Sequence, residues 1–205
     1  MSLHPIPIPD SIRDIRLSAD EESLIDEAND RIEAFMLADQ RVIENFVTCD
    51  FWLAAQAIHW IESEHLLIGE RFLEFGAGFG VAAMLAAQRG MEAVGIEIEP
   101  DLVEQAARLA EDLNLTAKFF SGSFVPRDTS GLIEAASDVR HVDTEEGDVY
   151  AEIGLELVDF DLFFAYPWPG EHTFFEAVFE SGAPDGALLL TYRGREGMNL
   201  VQKVG

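Results

Sequence analysis

The chain's 205 residues leave room for one substantial core, and with nearly half of them apolar and a quarter charged they exclude a disordered or low-complexity protein. A surplus of 39 acidic over 13 basic residues gives a net charge of −26, a field that repels phosphate backbones and anionic membrane surfaces and argues against a nucleic acid substrate. Cys49 is the single cysteine, so no intrachain disulfide or cysteine-based metal cluster is available; with no export signal and no apolar run of about 18 residues, a cytoplasmic setting without a membrane span is expected.

Pro5, Pro7 and Pro9 alternate with isoleucines and cannot donate regular ladder bonds, so the opening segment is expected as an extended arm on the surface. Ser18 followed by Glu21 matches a capping box, and Leu24, Ile25, Ala28, Ile32, Phe35 and Met36 recur at helical spacing. They predict an amphipathic helix to about Gln40, continued after a break through Val42, Ile43, Phe46 and Val47. Asp50 is placed to cap a second helix with the stripe Leu53, Ala54, Ala57, Ile58 and Ile61. Residues 1–68 thus read as an arm and helices packing on a core of residues 69–205, within one domain. In the core, strands at 71–75, 93–98 and 117–121 alternate with helices at 80–89 and 100–113, the second opened by Pro100. The stretch 126–158 is acidic, with short helices predicted only at 132–136 and 150–155. A nearly continuous apolar strand follows at 160–166, then a helix at 171–180 and a strand at 187–192. The alternation predicts an α/β fold: a doubly wound, mostly parallel sheet flanked by helices. Only residues 198–204 remain for a last strand, so the sheet is expected to be shortened at its C-terminal edge.

The most informative stretch is Phe72-Leu73-Glu74-Phe75-Gly76-Ala77-Gly78-Phe79-Gly80, followed by a second strand that ends in Glu97. Strand, glycine turn, helix and acid-ended strand build a nucleotide-cofactor pocket, because glycine permits both the sharp turn and close approach of backbone to ligand. A dinucleotide fingerprint from Gly76 would need glycine at position 81, where Val81 stands, which disfavours a nicotinamide-dependent oxidoreductase. The pattern acid-x-Gly-x-Gly-x-Gly, with the acid of the next strand beyond it, resembles the class I S-adenosylmethionine-dependent methyltransferases, of the small bacterial type. The resemblance implies that Gly76, Ala77, Gly78 and Gly80 line the cofactor, that Glu97 binds the ribose diol, and that Glu74 orients the loop and the cofactor's ammonium. It also implies that Ile98 lies against the adenine. Read without it, the same residues are a tight strand-to-helix turn and a solvated strand-end acid.

The strand at 117–121 runs into Gly122-Ser123-Phe124, where the family commonly places an acid or amide against the adenine amino group; Ser123 takes that place, with Gly122 beside it and Phe124 against the ring. Ligands of open α/β sheets bind at the carboxyl ends of the strands. The fourth core strand ends there as Ala165-Tyr166-Pro167-Trp168-Pro169-Gly170. Ala165 is expected beside the cofactor, and the turn resembles the Pro-containing motif of N-methyltransferases, with Tyr166 standing where a polar Asn or Asp usually lies. Tyr166 and Trp168 are the candidates for positioning the acceptor; simple packing beside a rigid turn is the alternative for both. Phe46-Val47-Thr48-Cys49-Asp50 looks like the stretch ahead of a capped helix in some small protein-lysine methyltransferases, and also like an ordinary helix junction. Asp161 begins its strand and reads as structural, and His172 as a helix-start histidine beside the turn. The expected function is methyl transfer from S-adenosylmethionine to a small molecule or a protein side chain, with nitrogen as the acceptor suggested by the turn. A non-catalytic S-adenosylmethionine-binding protein is the alternative.

Overall fold

A computed structural model describes residues 2–38, 49–126 and 148–205. The predicted continuation through Val42, Ile43, Phe46 and Val47, the residues Phe46-Val47-Thr48 and the short helix predicted at 132–136 lie outside the described residues. Among the described residues seven strands form one sheet: β1 (Ser2–Ile6), β2 (Arg71–Phe75), β3 (Glu92–Glu97), β4 (Lys118–Ser121), β5 (Leu162–Ala165), β6 (Leu188–Tyr192) and β7 (Met198–Val204), in the order β1-β7-β6-β5-β2-β3-β4. The helices are α1 (Ala19–Ala38), α2 (Phe51–Ser63), α3 (Val81–Gln88), α4 (Pro100–Asp112), α5 (Val149–Ile153) and α6 (His172–Gly182).

From β4 to β6 every pairing is parallel, while β7 runs antiparallel to both β6 and β1. The expected surface arm is therefore an edge strand, with Ser2 opposite Val204 and Ile6 opposite Leu200. An edge has one side that needs no donors, so Pro5, opposite Val201, is tolerated there. The shortened sheet is corrected by the same observation. Being antiparallel to β7, β1 runs parallel to β6 and supplies a seventh strand from the other end of the chain.

Alternation along the strands divides the core. Leu73, Phe75, Val94, Ile96, Phe163 and Leu189 pack with Phe174, Phe175, Val178 and Phe179 of α6 and with Val149 and Tyr150 of α5. Their neighbours Phe72, Ala93, Leu162, Phe164 and Leu188 face the other way, onto α2 and the alanines 82, 83 and 86 of α3. The remaining side of α3, Val81, Met84 and Leu85, packs against α1 and α4. Sheet on one side and helix on the other explain why α3 is apolar all round and built of small residues.

Polar contacts fix the helix ends. The predicted capping box forms, with Ser18 N–H donating to Glu21 Oε2 at 2.7 Å and Glu21 N–H to Ser18 Oγ at 3.2 Å. Asp50 caps α2, accepting from Leu53 N–H at 3.0 Å. Arg89, just past α3, ties Glu21 of α1 to Glu62 of α2. Asp161 accepts from Arg71 N–H at 2.9 Å and fills the space over Gly69, the structural part expected of it.

Lys203 of β7 is 4% exposed and donates from Nζ to the Glu180 carbonyl at 2.7 Å and the Ala183 carbonyl at 2.5 Å. A cation at the C-terminus of α6 meets carbonyls that the helix itself leaves without partners. Lys203→Met keeps the stem and strands those carbonyls, so urea unfolding should show a loss of about 2–3 kcal/mol. An unchanged midpoint would mean that water satisfies them.

Candidate functional site at the carboxyl edge of the sheet

Between β2 and α3 the backbone turns through three left-handed glycines, Gly76, Gly78 and Gly80, with φ of 66°, 54° and 70°. The turn is pinned to the next strand, Ala77 N–H donating to the Ile96 carbonyl at 2.9 Å and Gly80 N–H back to the Ala77 carbonyl at 2.7 Å. The glycines differ in what they permit. A Cβ on Gly80 would sit 2.1 Å from the Phe119 ring, whereas one on Gly76 would meet nothing within 4 Å. Gly80 serves packing, and Gly76 exposes bare backbone to open space at the end of β2.

Two buried carboxyl groups flank that space. Glu97, at the end of β3 and 9% exposed, accepts from Gly78 N–H at 2.7 Å through one oxygen and from Glu99 N–H at 3.0 Å through the other. Burial pushes its carboxyl upward, against the pull of those donors. Glu74, inside β2 and 5% exposed, accepts from Ala83 N–H at 2.9 Å in the first turn of α3, a helix whose own N-cap is glycine. Burial, opposed by that bond and reinforced by the Glu97 charge, raises its carboxyl to about 8. Glu97 thus ties the loop itself, and Glu74 the first turn of the helix that follows it.

Of the residues expected near adenine, Ile98 is partly exposed just past β3, and Gly122 N–H donates to the Glu97 carbonyl at 2.9 Å. Ser123 is buried, its hydroxyl accepting from Val125 N–H at 3.2 Å. Phe124 needs correction. Its ring stacks on Phe75 at 4.7 Å and on Phe175 at 5.0 Å, and the Tyr150 hydroxyl donates to its carbonyl at 2.6 Å. Packed between two core rings, it has no face for an adenine.

Ala165 is fully buried at the end of β5, and beyond it Tyr166 is half-buried and Trp168 36% exposed. The Tyr166 ring lies 4.9 Å from that of Tyr192, the last residue of β6. Cys49 stands close to Glu74 and to both tyrosines; burial first, then the Glu74 and Asp50 charges, push its thiol well up. Tyr192 was not singled out from the sequence, and Cys49 only as the lone cysteine and as part of the stretch ahead of the Asp50 cap. The available signal for Tyr192 was two tyrosines ending consecutive parallel strands. His172 opens α6.

The family model for protein-L-isoaspartate(D-aspartate) O-methyltransferases matches residues 6–129, more than half of the chain and the whole of the glycine loop with both acids. The chain belongs to this family. Over 79 residues, 38% of its length, the isoaspartate methyltransferase-family chain is 35% identical to the ribosomal protein L11 methyltransferase of Ralstonia pickettii, of which it covers 26%. The corresponding Thermus thermophilus protein is 31% identical over 95 residues, 46% of this chain and 34% of that protein. The family member thus spans about a quarter to a third of these curated relatives. A solved methyltransferase from Geobacter sulfurreducens shares the fold, with a TM-score of 0.51 at 15% identity over 93% of this chain and 92% of that one.

The isoaspartate methyltransferase-family chain has a second concavity, a groove of about 830 Å³ lined by Arg16, Glu21, Leu24, His59, Gln88 and Arg89 among others. It lies at the ends of α2 and α3 remote from the glycine loop, and the site argued from the loop does not include it. No described helix is long and apolar enough to cross a membrane.

Proposed function

We propose that this chain transfers a methyl group from S-adenosylmethionine to a small molecule or a protein side chain, in the cytoplasm and without a nucleic acid partner. The carrying observation is the carboxyl edge itself: Gly76 backbone facing open space beside the strand-end carboxylate of Glu97. The residues present fit the cofactor. Glu97 accepts from the N–H groups of Gly78 and Glu99, with Ile98 N–H adding a third backbone donor, and a carboxylate accepts about four bonds, so capacity remains for a ribose hydroxyl. Glu97 supplies negative charge for a cationic ligand, Glu74 adds to it on releasing its proton as the ligand docks, and Ile98 supplies an apolar edge for the adenine.

When bound, S-adenosylmethionine supplies a methyl group on a positively charged sulfur. Displacement of that methyl requires closeness, alignment and exclusion of water more than a strong base. Pro167 and Pro169 stiffen the turn after β5, and Tyr166 and Trp168 stand on it as walls for the acceptor. Residues 69–205 act in this reading as the cofactor-binding core and residues 1–68 as the elements that pack on it. The net charge of −26 supports an acceptor other than nucleic acid.

Titration calorimetry with S-adenosylmethionine and S-adenosylhomocysteine is the direct test: both are expected to bind, and binding of neither ends this reading. Labelled methyl should then pass to an acceptor in cell extract, with turnover lost in Trp168→Ala. Tight binding with no acceptor in any extract would leave a non-catalytic binding protein.

A further inference from the structure

α1 carries seven acids and Arg31 as its one base. Its buried side, Leu24, Ile25, Ala28 and Ile32, packs with Val81, Met84 and Leu85 of α3 and with Leu102 and Leu109 of α4. Near the end of the helix Phe35 stands edge-on to Phe79 of the glycine loop, the ring centroids 5.5 Å apart. The outer side opposes this seating. Glu22, Asp26, Asp30 and Glu33 are all exposed and recur at spacings of four, four and three residues, which puts them in one stripe along the helix. Like charges so placed weaken a helix. Arg31 is already committed, to Glu27 at 2.7 Å and to Asp112 at 2.8 Å.

The chain has few cations left to relieve the stripe. Of its 13 basic residues, Lys203 is buried, and Arg71, Arg89, Arg108 and Arg193 each hold acids of their own. No described helix has a base in its last turn, while Glu62, Glu111 and Glu180 lie in the last turns of α2, α4 and α6, where the helix dipole disfavours negative charge. α6 and α2 cover opposite faces of the sheet, so one basic partner on one face leaves the other acids unrelieved. Dissolved cations reach all of them. The spacing sets how much salt is needed: neighbouring acids of the stripe are about 5–6 Å apart at Cβ, inside the Debye length of about 8 Å at about 0.15 M salt and beyond that of about 3 Å at about 1 M. Repulsion along α1 therefore survives ordinary ionic strength and is suppressed only near molar salt.

We propose that α1 seats fully on α3, α4 and the glycine loop only in about molar monovalent salt, and that the chain is built to work in such a medium. In dilute buffer the acidic stripe works against the apolar side of the helix, and α1 opens locally while the sheet, held by its own ladder and by α2 and α6, stays folded. Phe79 then loses the ring that packs on it, so the loop is at its most ordered where α1 is seated.

Hydrogen exchange read by mass spectrometry, at about 0.1 M and about 2 M KCl, tests it. The α1 amides should exchange about tenfold or more faster in the dilute buffer, with β2, β5 and α6 changing less than about twofold. The thermal midpoint should rise by about 10 °C or more between the two salts. Asp26→Lys/Glu33→Lys changes only exposed positions and sets a base between Glu22 and Asp30 and another beyond Asp30, so it should protect α1 in dilute buffer and remove most of its salt dependence. Asp26→Asn/Glu33→Gln, which removes the same charges without adding ion pairs, should fall between that variant and the wild-type protein. α1 as well protected at low salt as at high, an unchanged thermal midpoint, or indifference to both variants overturns the proposal and leaves the acids to a basic partner. Loss of protection in every element together overturns the assignment to α1. Neither measurement involves S-adenosylmethionine, so absence of cofactor binding overturns the methyltransferase reading alone.

Discussion

Glu97→Ala should weaken S-adenosylhomocysteine binding by about 3 kcal/mol, roughly 150-fold in Kd, while leaving the fold intact. Two losses combine in that figure. A ribose diol would lose a charge-assisted acceptor, the stronger class of hydrogen bond. The Gly78 and Glu99 N–H groups would lose the carboxylate that positions the loop and the following turn before any ligand arrives. The second loss distinguishes Glu97 from an acid that merely touches the ligand: Glu97→Gln retains an acceptor for one N–H and should fall between the two proteins. Folding stability is expected to change little, because ionised Glu97 is itself held against a desolvation cost that its removal relieves. Calorimetry checks the affinity and urea unfolding the stability. Unchanged affinity in Glu97→Ala would take this residue out of the site.

Glu97 and the glycine loop were legible in the sequence because their geometry is local. The strand, turn, helix and strand from Arg71 to Glu97 form consecutive elements, and each position is constrained by its neighbours: left-handed backbone at Gly76, Gly78 and Gly80, small residues along α3, Pro100 opening α4. The N-terminal strand was not legible. Its partner β7 lies at the opposite end of the chain, and local pattern at Pro5 and Pro7 speaks only of missing donors, not of a sheet edge where one row of donors is unnecessary. Phe124 was misjudged because a position fixes where a residue sits along a strand end, not which way its ring turns, and Phe75 and Phe175 compete for that ring. Tyr192 and Cys49 acquire their place only through the β5–β6 register and the approach to α2, neither of which is written in one segment.

Glu74→Gln should become progressively more stable than the wild-type protein as pH rises, the difference growing by about 3–5 kcal/mol between pH 4.5 and pH 8. In the unfolded chain this carboxyl ionises near 4.5, and in the fold near 8 because burial disfavours its charged form, Ala83 N–H only partly opposing and the Glu97 charge adding to the rise. Between those values the native state keeps a proton that the unfolded state has released, so stability from this group is present in full below 4.5 and is lost as pH climbs through 8. Glutamine can still accept from Ala83 N–H but never titrates, so the mutant-minus-wild-type curve isolates Glu74 from the chain's other acids. Urea unfolding of both proteins at several pH values gives that curve, and a constant difference would show that Glu74 titrates alike in both states. A consequence for the proposed site follows. A cation docked beside Glu74 favours the ionised carboxyl, so binding of S-adenosylmethionine near pH 7 should release up to one proton. Its calorimetric enthalpy should therefore differ between phosphate and Tris buffers in the wild-type protein and lose most of that dependence in Glu74→Gln.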